Sequence, residues 1–300
     1  MKSYITCITA LAASCLLAAP RLAADSAVPE TALPPVPAAD KDPPRNPLVL
    51  KIAVNDIYCT KTACSCISNI ATRSYDQLLA QLKDQHHITL KFTYFMEIFD
   101  LQNAVAGGKF DGFICKPWSV LHLPNKNGAD FKRVADLCDP QDQPMMSGVF
   151  LTLADSSLHA LTDVQGKRIA LGQPDSYEKN QSPLAMLAAK NIKPASQVTY
   201  SSCGENISAL LDGKVDVAVV SSYALTASCA VDFAKPDQFR TIGETAKMPL
   251  TSFLLDMHKI SLTDAVRLQR ALLAVSGDKV PKDLTGKGFV LPASWKPETP

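Results

Sequence analysis

Apolar and polar positions along this chain follow a recurring order of short strands and amphipathic helices. The run LVLKIAV at 48–54 is rich in β-formers, and residues 73–83 set Tyr75, Leu78, Leu79 and Leu82 at helical spacing. ITLKFTYF at 88–95 predicts a second strand, 100–107 a short helix stopped by Gly107-Gly108, and FDGFIC at 110–115 a third strand. The same order returns as strand 166–172, helix 183–190 opened by Pro183, strand 196–202, helix 205–211 and buried strand 215–220. Strands separated by helices predict sheets with helices on their faces. The halves echo each other most closely in AVAGGKFDGFICKPW at 104–118 and ALLDGKVDVAVVSSY at 209–223. Each reads helix end, Gly-Lys-x-Asp, apolar strand and polar segment. Ligands of open α/β sheets sit beyond the carboxyl ends of the strands. A cleft between two such sheets would therefore be lined by 55–66, 94–99, 115–118, 173–179, 201–205 and 221–223.

The 300 residues suit two domains or one two-lobed body, at roughly 150 residues per domain. An apolar content of 47% is ample for a core and argues against wholesale disorder. The balance of 30 basic and 29 acidic residues argues against nucleic acid as a partner, because phosphate backbones are bound by a surplus of Lys and Arg. Residues 1–24 carry Lys2, an apolar run and the small residues Ala23 and Ala24, the pattern of a cleavable signal peptide. Residues 25–47 form a Pro-rich leader, read as extended and semi-rigid.

Loss of Cys7 and Cys15 with the signal leaves Cys59, Cys64, Cys66, Cys115, Cys138, Cys203 and Cys229 in an oxidising compartment. Two readings stand. Structural disulfides would pin loops, with two or three bridges and an odd thiol left over; Cys203–Cys229 and Cys115–Cys138 are plausible pairs. Alternatively, thiolates drawn from Cys59, Cys64, Cys66 and Cys203 would hold a thiophilic metal or metalloid. The Cys-x4-Cys-x-Cys spacing is not that of a zinc ribbon. No phosphate-binding Gly-rich loop and no Gly-x-Ser-x-Gly elbow appears, so no cofactor and no enzyme activity is expected.

LTDVQGKRIALGQPDS at 161–176, SSCGENISALLDGKVDVAVVSSYAL at 201–225, FDGFICKPWSVL at 110–121 and the stretch 239–255 together carry a family likeness. Across most of 48–275 the chain resembles the phosphonate/phosphite-type periplasmic substrate-binding proteins of ABC transporters. The resemblance implies the α/β type II periplasmic-binding fold, two lobes that are each a mostly parallel sheet flanked by helices. A hinge would be crossed twice, near 147–153 and 245–254. Lobe 1 would comprise 48–148 and 250–300, with the helix around 262–274 returning to it, and lobe 2 would comprise 149–249. The implied function is capture of a small anionic, oxyanion-like solute, or a metalloid, by a periplasmic monomer that delivers it to a membrane permease. The alternative output is a periplasmic sensor or accessory protein for a thiophilic metal or metalloid, or for another exported protein.

The expected ligand-binding residues are Asp56, Tyr58, Cys115, Lys116, Trp118, Ser176, Tyr177, Ser202, Cys203, Ser221 and Ser222. Lys116 offers a cation directly after a strand, and Trp118 could cap a ligand. Ser221 and Ser222 supply hydroxyls at a strand end. Residues 202–205 open a helix whose free N–H groups favour anions, although Ser202 also suits a plain cap. Where the family has a Ser/Thr-rich turn, this chain has Asp175-Ser176-Tyr177-Glu178-Lys179. Its two carboxylates would repel a dianion unless Lys179 or another cation compensates, which favours a neutral or singly charged solute.

Overall fold

The structure is a computed structural model describing residues 32–33, 46–63, 67, 70–123, 128–226, 233–276 and 279–295. The expected signal at 1–24, most of the leader, and Cys64, Cys66 and Cys229 lie outside these residues.

The chain first lays down β1 (Leu48–Val54), α1 (Asp76–His86), β2 (Ile88–Tyr94), α2 (Ile98–Ala106), β3 (Gly112–Cys115), α3 (Trp118–Leu121) and β4 (Phe131–Leu137). It passes through β5 (Met145–Met146) into β6 (Gly148–Leu153), β7 (Arg168–Leu171), α4 (Ser182–Ala189), β8 (Ser196–Thr199), α5 (Cys203–Leu211), β9 (Val217–Ser221) and β10 (Phe239–Glu244). It returns through β11 (Met248–Pro249) to β12 (Thr251–Asp256), α6 (Leu262–Ala274) and β13 (Phe289–Val290). One six-stranded sheet has the order β13-β4-β12-β3-β1-β2, and a five-stranded sheet has the order β10-β6-β9-β7-β8. These are the two lobes.

Both sheets are mixed. The βαβ portions β1–β2, β1–β3, β7–β8 and β7–β9 are parallel. The strands that follow the hinge crossings run the other way: β6 is antiparallel to β9, and β12 to both β3 and β4. The crossings themselves are the short antiparallel pair β5 and β11, just ahead of the expected 147–153 and within 245–254. Residues 148–153 already belong to the second sheet.

The recurring Gly-Lys-x-Asp has a structural meaning. Asp111 accepts from the Lys51 backbone N–H at 2.7 Å, and its own N–H donates to the Lys51 carbonyl at 2.8 Å. Asp216 does the same to Arg168, accepting from its N–H at 2.9 Å and donating to its carbonyl at 2.9 Å. In each lobe the aspartate locks the third strand onto the first near the amino end of a parallel pair, where ladder hydrogen bonds begin.

Burial follows the apolar periodicity. Leu50, Ile52 and Val54 of β1 pack with Leu78 and Leu82 of α1 and with Leu268 and Leu272 of α6 in one core. The second sheet has a core on each face, one built around α5 and the other around Leu187 of α4. Ala32 and Leu33 of the leader lie along β4, with Leu33 buried and its N–H donating to the Arg133 carbonyl at 3.1 Å. That part of the leader is therefore docked on the sheet rather than held as a spacer.

The suggested Cys115–Cys138 disulfide is corrected: both are free, buried thiols. Strand β12 runs between β3 and β4, with Ser252 opposite Cys115 and Thr251 opposite Leu137. Two ladder spacings separate the two cysteines, roughly 9–10 Å, and a disulfide needs Cα atoms within about 7 Å.

Candidate functional site

The carboxyl ends of β3 and β9 face each other across the lobes, and a third segment closes the gap between them. Residues Tyr177–Gln181 form a π-helical turn leading into α4. Single π turns cost backbone regularity and recur at functional sites. Gly148 makes room for this one: a Cβ there would lie 1.9 Å from the Glu178 carbonyl oxygen. Asn180 Nδ2 donates to the Gly172 carbonyl at 2.7 Å and fixes the turn to the end of β7.

The turn drives Glu178 inward until it is 1% exposed. Its Oε1 accepts from Lys116 Nζ of the first lobe at 2.5 Å and from Ser221 Oγ of the second at 2.9 Å. Ser221 is fully buried at the end of β9, and its N–H reaches Cys203 Sγ at 3.5 Å. The Cys203 thiol lies 3.7 Å from Ser221 Oγ as donor, so a hydrogen-bonded line runs from Cys203 through Ser221 to the carboxylate. Burial would raise the Glu178 carboxyl, but Lys116 and then Lys179 outweigh it and hold it at about 2. The group is a carboxylate at any physiological pH. Burial would lower the Lys179 ammonium, yet Cys203 and Glu178 beside it keep it raised.

Aromatic rings surround this pair. Trp118 stacks on His122 at 3.5 Å between centroids and faces Tyr177 at 5.1 Å. Tyr177 meets Trp295 edge-on at 6.3 Å, and Tyr58 meets Tyr223 at 6.4 Å. The Lys116 ammonium lies 5.9 Å from the Tyr223 ring centroid. Tyr58, Trp118 and Tyr177 share one buried cluster with Met146 and Met248 of the hinge strands. Burial first, then Cys203 and Glu178, push the Tyr223 hydroxyl well above its ordinary value, so it stays a neutral phenol.

The expected site residues divide into groups. Lys116 and Ser221 bond Glu178 directly, Cys203 reaches it through Ser221, Tyr177 precedes it in the π turn, and Trp118 and Tyr58 pack on Tyr177 and Tyr223 respectively. Asp56 is fully buried and serves the first lobe instead, pairing with Arg73 at 2.9 Å and accepting from Tyr75 Oη at 2.8 Å. Cys115 sits inside its sheet opposite Ser252, and burial pushes its thiol up. Ser202 is the cap of α5: its hydroxyl accepts from the Glu205 N–H at 3.1 Å while Glu205 accepts from the Ser202 N–H at 3.1 Å. Helix-start donors reserved for an anion are thus partly consumed by the chain itself. Ser222 is exposed, and its hydroxyl accepts from the Ser147 N–H at 3.2 Å beside the hinge. Ser176 starts the π turn, half-buried.

Of the metal candidates, Cys59 is buried and its thiol is raised, chiefly by burial, which opposes thiolate formation. Cys64 and Cys66 lie outside the described residues. Among the described residues no group of three or more His, Cys, Asp or Glu side chains gathers as metal ligands would. Sequence reasoning put Glu178 and Tyr223 in cleft-lining segments but not among the ligand-binding residues, and it left Trp295 out altogether. Glu178 carried a signal, a carboxylate where the family places hydroxyls, whereas Trp295 carried none.

The comparisons with known proteins agree with this architecture. The model of the family "ABC transporter, phosphonate, periplasmic substrate-binding protein" matches residues 68–294. XAC2383 from Xanthomonas citri, solved with ATP, has a TM-score of 0.60 at 14% identity over 80% of this chain and 90% of its own. PhnD1 from Prochlorococcus marinus, solved with methylphosphonate, has a TM-score of 0.56 at 13% identity over 84% of this chain and 95% of its own. A binding protein component of an ABC phosphonate transporter from Pseudomonas aeruginosa has a TM-score of 0.54 at 16% identity over 81% of both chains. No curated protein matches the sequence. The chain belongs to the phosphonate-type periplasmic substrate-binding proteins of ABC transporters, and the solved structures share its type II periplasmic-binding fold.

Proposed function

We propose that this periplasmic substrate-binding protein takes a small solute with a singly charged oxyanion group between its lobes and delivers it, as a monomer, to a membrane permease. One observation carries the reading: Lys116 and Ser221, from the carboxyl ends of strands in different lobes, converge on one carboxylate oxygen. An ammonium and a hydroxyl aimed at one point form a receptor for an anionic oxygen. Tyr58, Trp118, Tyr177 and Tyr223 around it supply apolar faces for the rest of a small organic molecule. Closure of the lobes on the solute presents the surface that a permease reads. Residues 1–24 serve as the export signal. A dianion suits this cleft poorly, because Glu178 stays tethered to it by the π turn and its carboxylate repels a second negative charge.

A thermal-shift panel of alkylphosphonates, phosphite, sulfonates and small carboxylates tests the reading. A bound solute raises the melting temperature by mass action. The singly charged members are expected to give the larger shifts, and Lys116→Ala to abolish them. A panel without any shift, or shifts that survive Lys116→Ala, would overturn the proposal.

A further inference from the structure

The pairing of Glu178 with Lys116 joins two lobes that must part for a solute to enter. It joins them at the position proposed above for the solute's own anionic group, and the role assigned to Glu178 rests on that reading. Three observations separate this contact from an ordinary ion pair. First, a single oxygen of Glu178 accepts from both lobes at once, from Lys116 Nζ at 2.5 Å and Ser221 Oγ at 2.9 Å. Second, the carboxylate is 1% exposed and relies for its charge on Lys116 and Lys179 beside it. Burying a charge there is costly unless its partners stay in place. Third, the turn that carries it bears directly on the hinge. Gly148 follows the hinge strand β5 almost immediately, and its backbone passes so close to Glu178 that a Cβ would lie 1.9 Å from that residue's carbonyl oxygen.

We infer that Glu178 is an intrachain ligand of the cleft: its carboxylate occupies the solute's anion position between Lys116 and Ser221 and holds the lobes closed until a solute displaces it. The exchange is one anionic oxygen for another, so the charge facing Lys116 is unchanged by monoanion binding. Glu178 must then swing toward solvent with the π turn as its pivot. The residue acts as a specificity filter. A neutral solute gains nothing from Lys116, and every anion competes with a tethered one. Where the binding-competent state is only a small fraction of the population, the apparent affinity falls by that fraction.

Small-angle X-ray scattering with chemical rescue tests the inference on the purified chain. The wild type is expected to be compact with or without sodium formate. Glu178→Ala is expected to open, with a larger radius of gyration, and to return to the wild-type value in formate but not in sodium chloride of equal ionic strength. The double variant Lys116→Ala, Glu178→Ala is expected to stay open in formate. Removing the tethered competitor is also expected to tighten binding of any solute found in the thermal-shift panel by about tenfold or more. A folded Glu178→Ala protein that stays as compact as wild type, or opens without responding to formate, would overturn the inference. If Glu178→Ala does not fold, Glu178→Gln replaces it: opening supports the latch, and wild-type compactness refutes it. The two readings fail separately. Formate rescue with an empty solute panel would leave the latch standing and remove the proposed cargo. A solute hit with unchanged affinity in Glu178→Ala would do the reverse.

Discussion

The buried ion pairs Asp56–Arg73 and Glu178–Lys116 differ in what surrounds them. Asp56 and Arg73 are both fully buried within the first lobe. Arg73 Nε donates to the Leu284 carbonyl at 2.8 Å and Nη2 to the Cys138 carbonyl at 2.5 Å, while Tyr75 and Thr251 donate to Asp56. These donors and acceptors belong to one rigid body, and none of them needs to move. Glu178 and Lys116 belong to different lobes, and Lys116 keeps 20% of its side chain exposed. A buried charge pair with all partners in one body fastens a fold. The same chemistry shared between two bodies, with one end reachable by water, can be exchanged for a ligand.

Four changes put this contrast at risk. The largest effect is expected from Arg73→Met, which strands the Asp56 carboxylate in the core at a cost of about 3–5 kcal/mol. Urea denaturation measures it, and scattering should show no lobe opening in the protein that remains folded. Acid comes next. The Glu178 carboxyl is held at about 2, below its ordinary 4.5. A depressed carboxyl contributes stability that is complete above the ordinary value and is lost as pH falls from there toward the folded one. The difference corresponds to about 3 kcal/mol, and Glu178→Gln should lack this segment of the pH-stability curve. Ser221→Ala removes one donor to the carboxylate and should cost about 2 kcal/mol, with partial lobe opening as the second readout. Ser202→Ala should cost only about 1 kcal/mol through its lost helix cap. It should leave lobe closure untouched, and opening there would show that the site extends to the start of α5.

Much of this architecture was legible in the order of residues. The strand expected at 48–54 coincides with β1, and the expected helices at 183–190 and 205–211 lie within a few residues of α4 and α5. Such elements are set by local periodicity and by the Gly and Pro that end or open them. The paired Gly-Lys-x-Asp strings pointed to two similar lobes, and each aspartate makes the same contact to the first strand of its parallel pair. Lys116 and Ser221 were legible as candidates for the cleft because one follows and the other ends a strand at its carboxyl end.

Contacts between distant segments settled the rest. Asp56 and Lys116 look alike in sequence, each a charged residue after a strand, yet one turns into its lobe to meet Arg73 and the other crosses to Glu178. Cys115 ends β3 and Cys138 directly follows β4, but β12 enters between those strands from more than a hundred residues further along the chain. Glu178 read as a charge that would repel the solute. The fold places it in the position proposed for the solute's anion, because the π turn, the missing Cβ at Gly148 and the end of β3 come together only after both hinge crossings are made. Local periodicity specifies elements through neighbours in sequence. Which charge ends up against which is set by how the sheets are ordered and hinged, and one residue's identity carries no record of that.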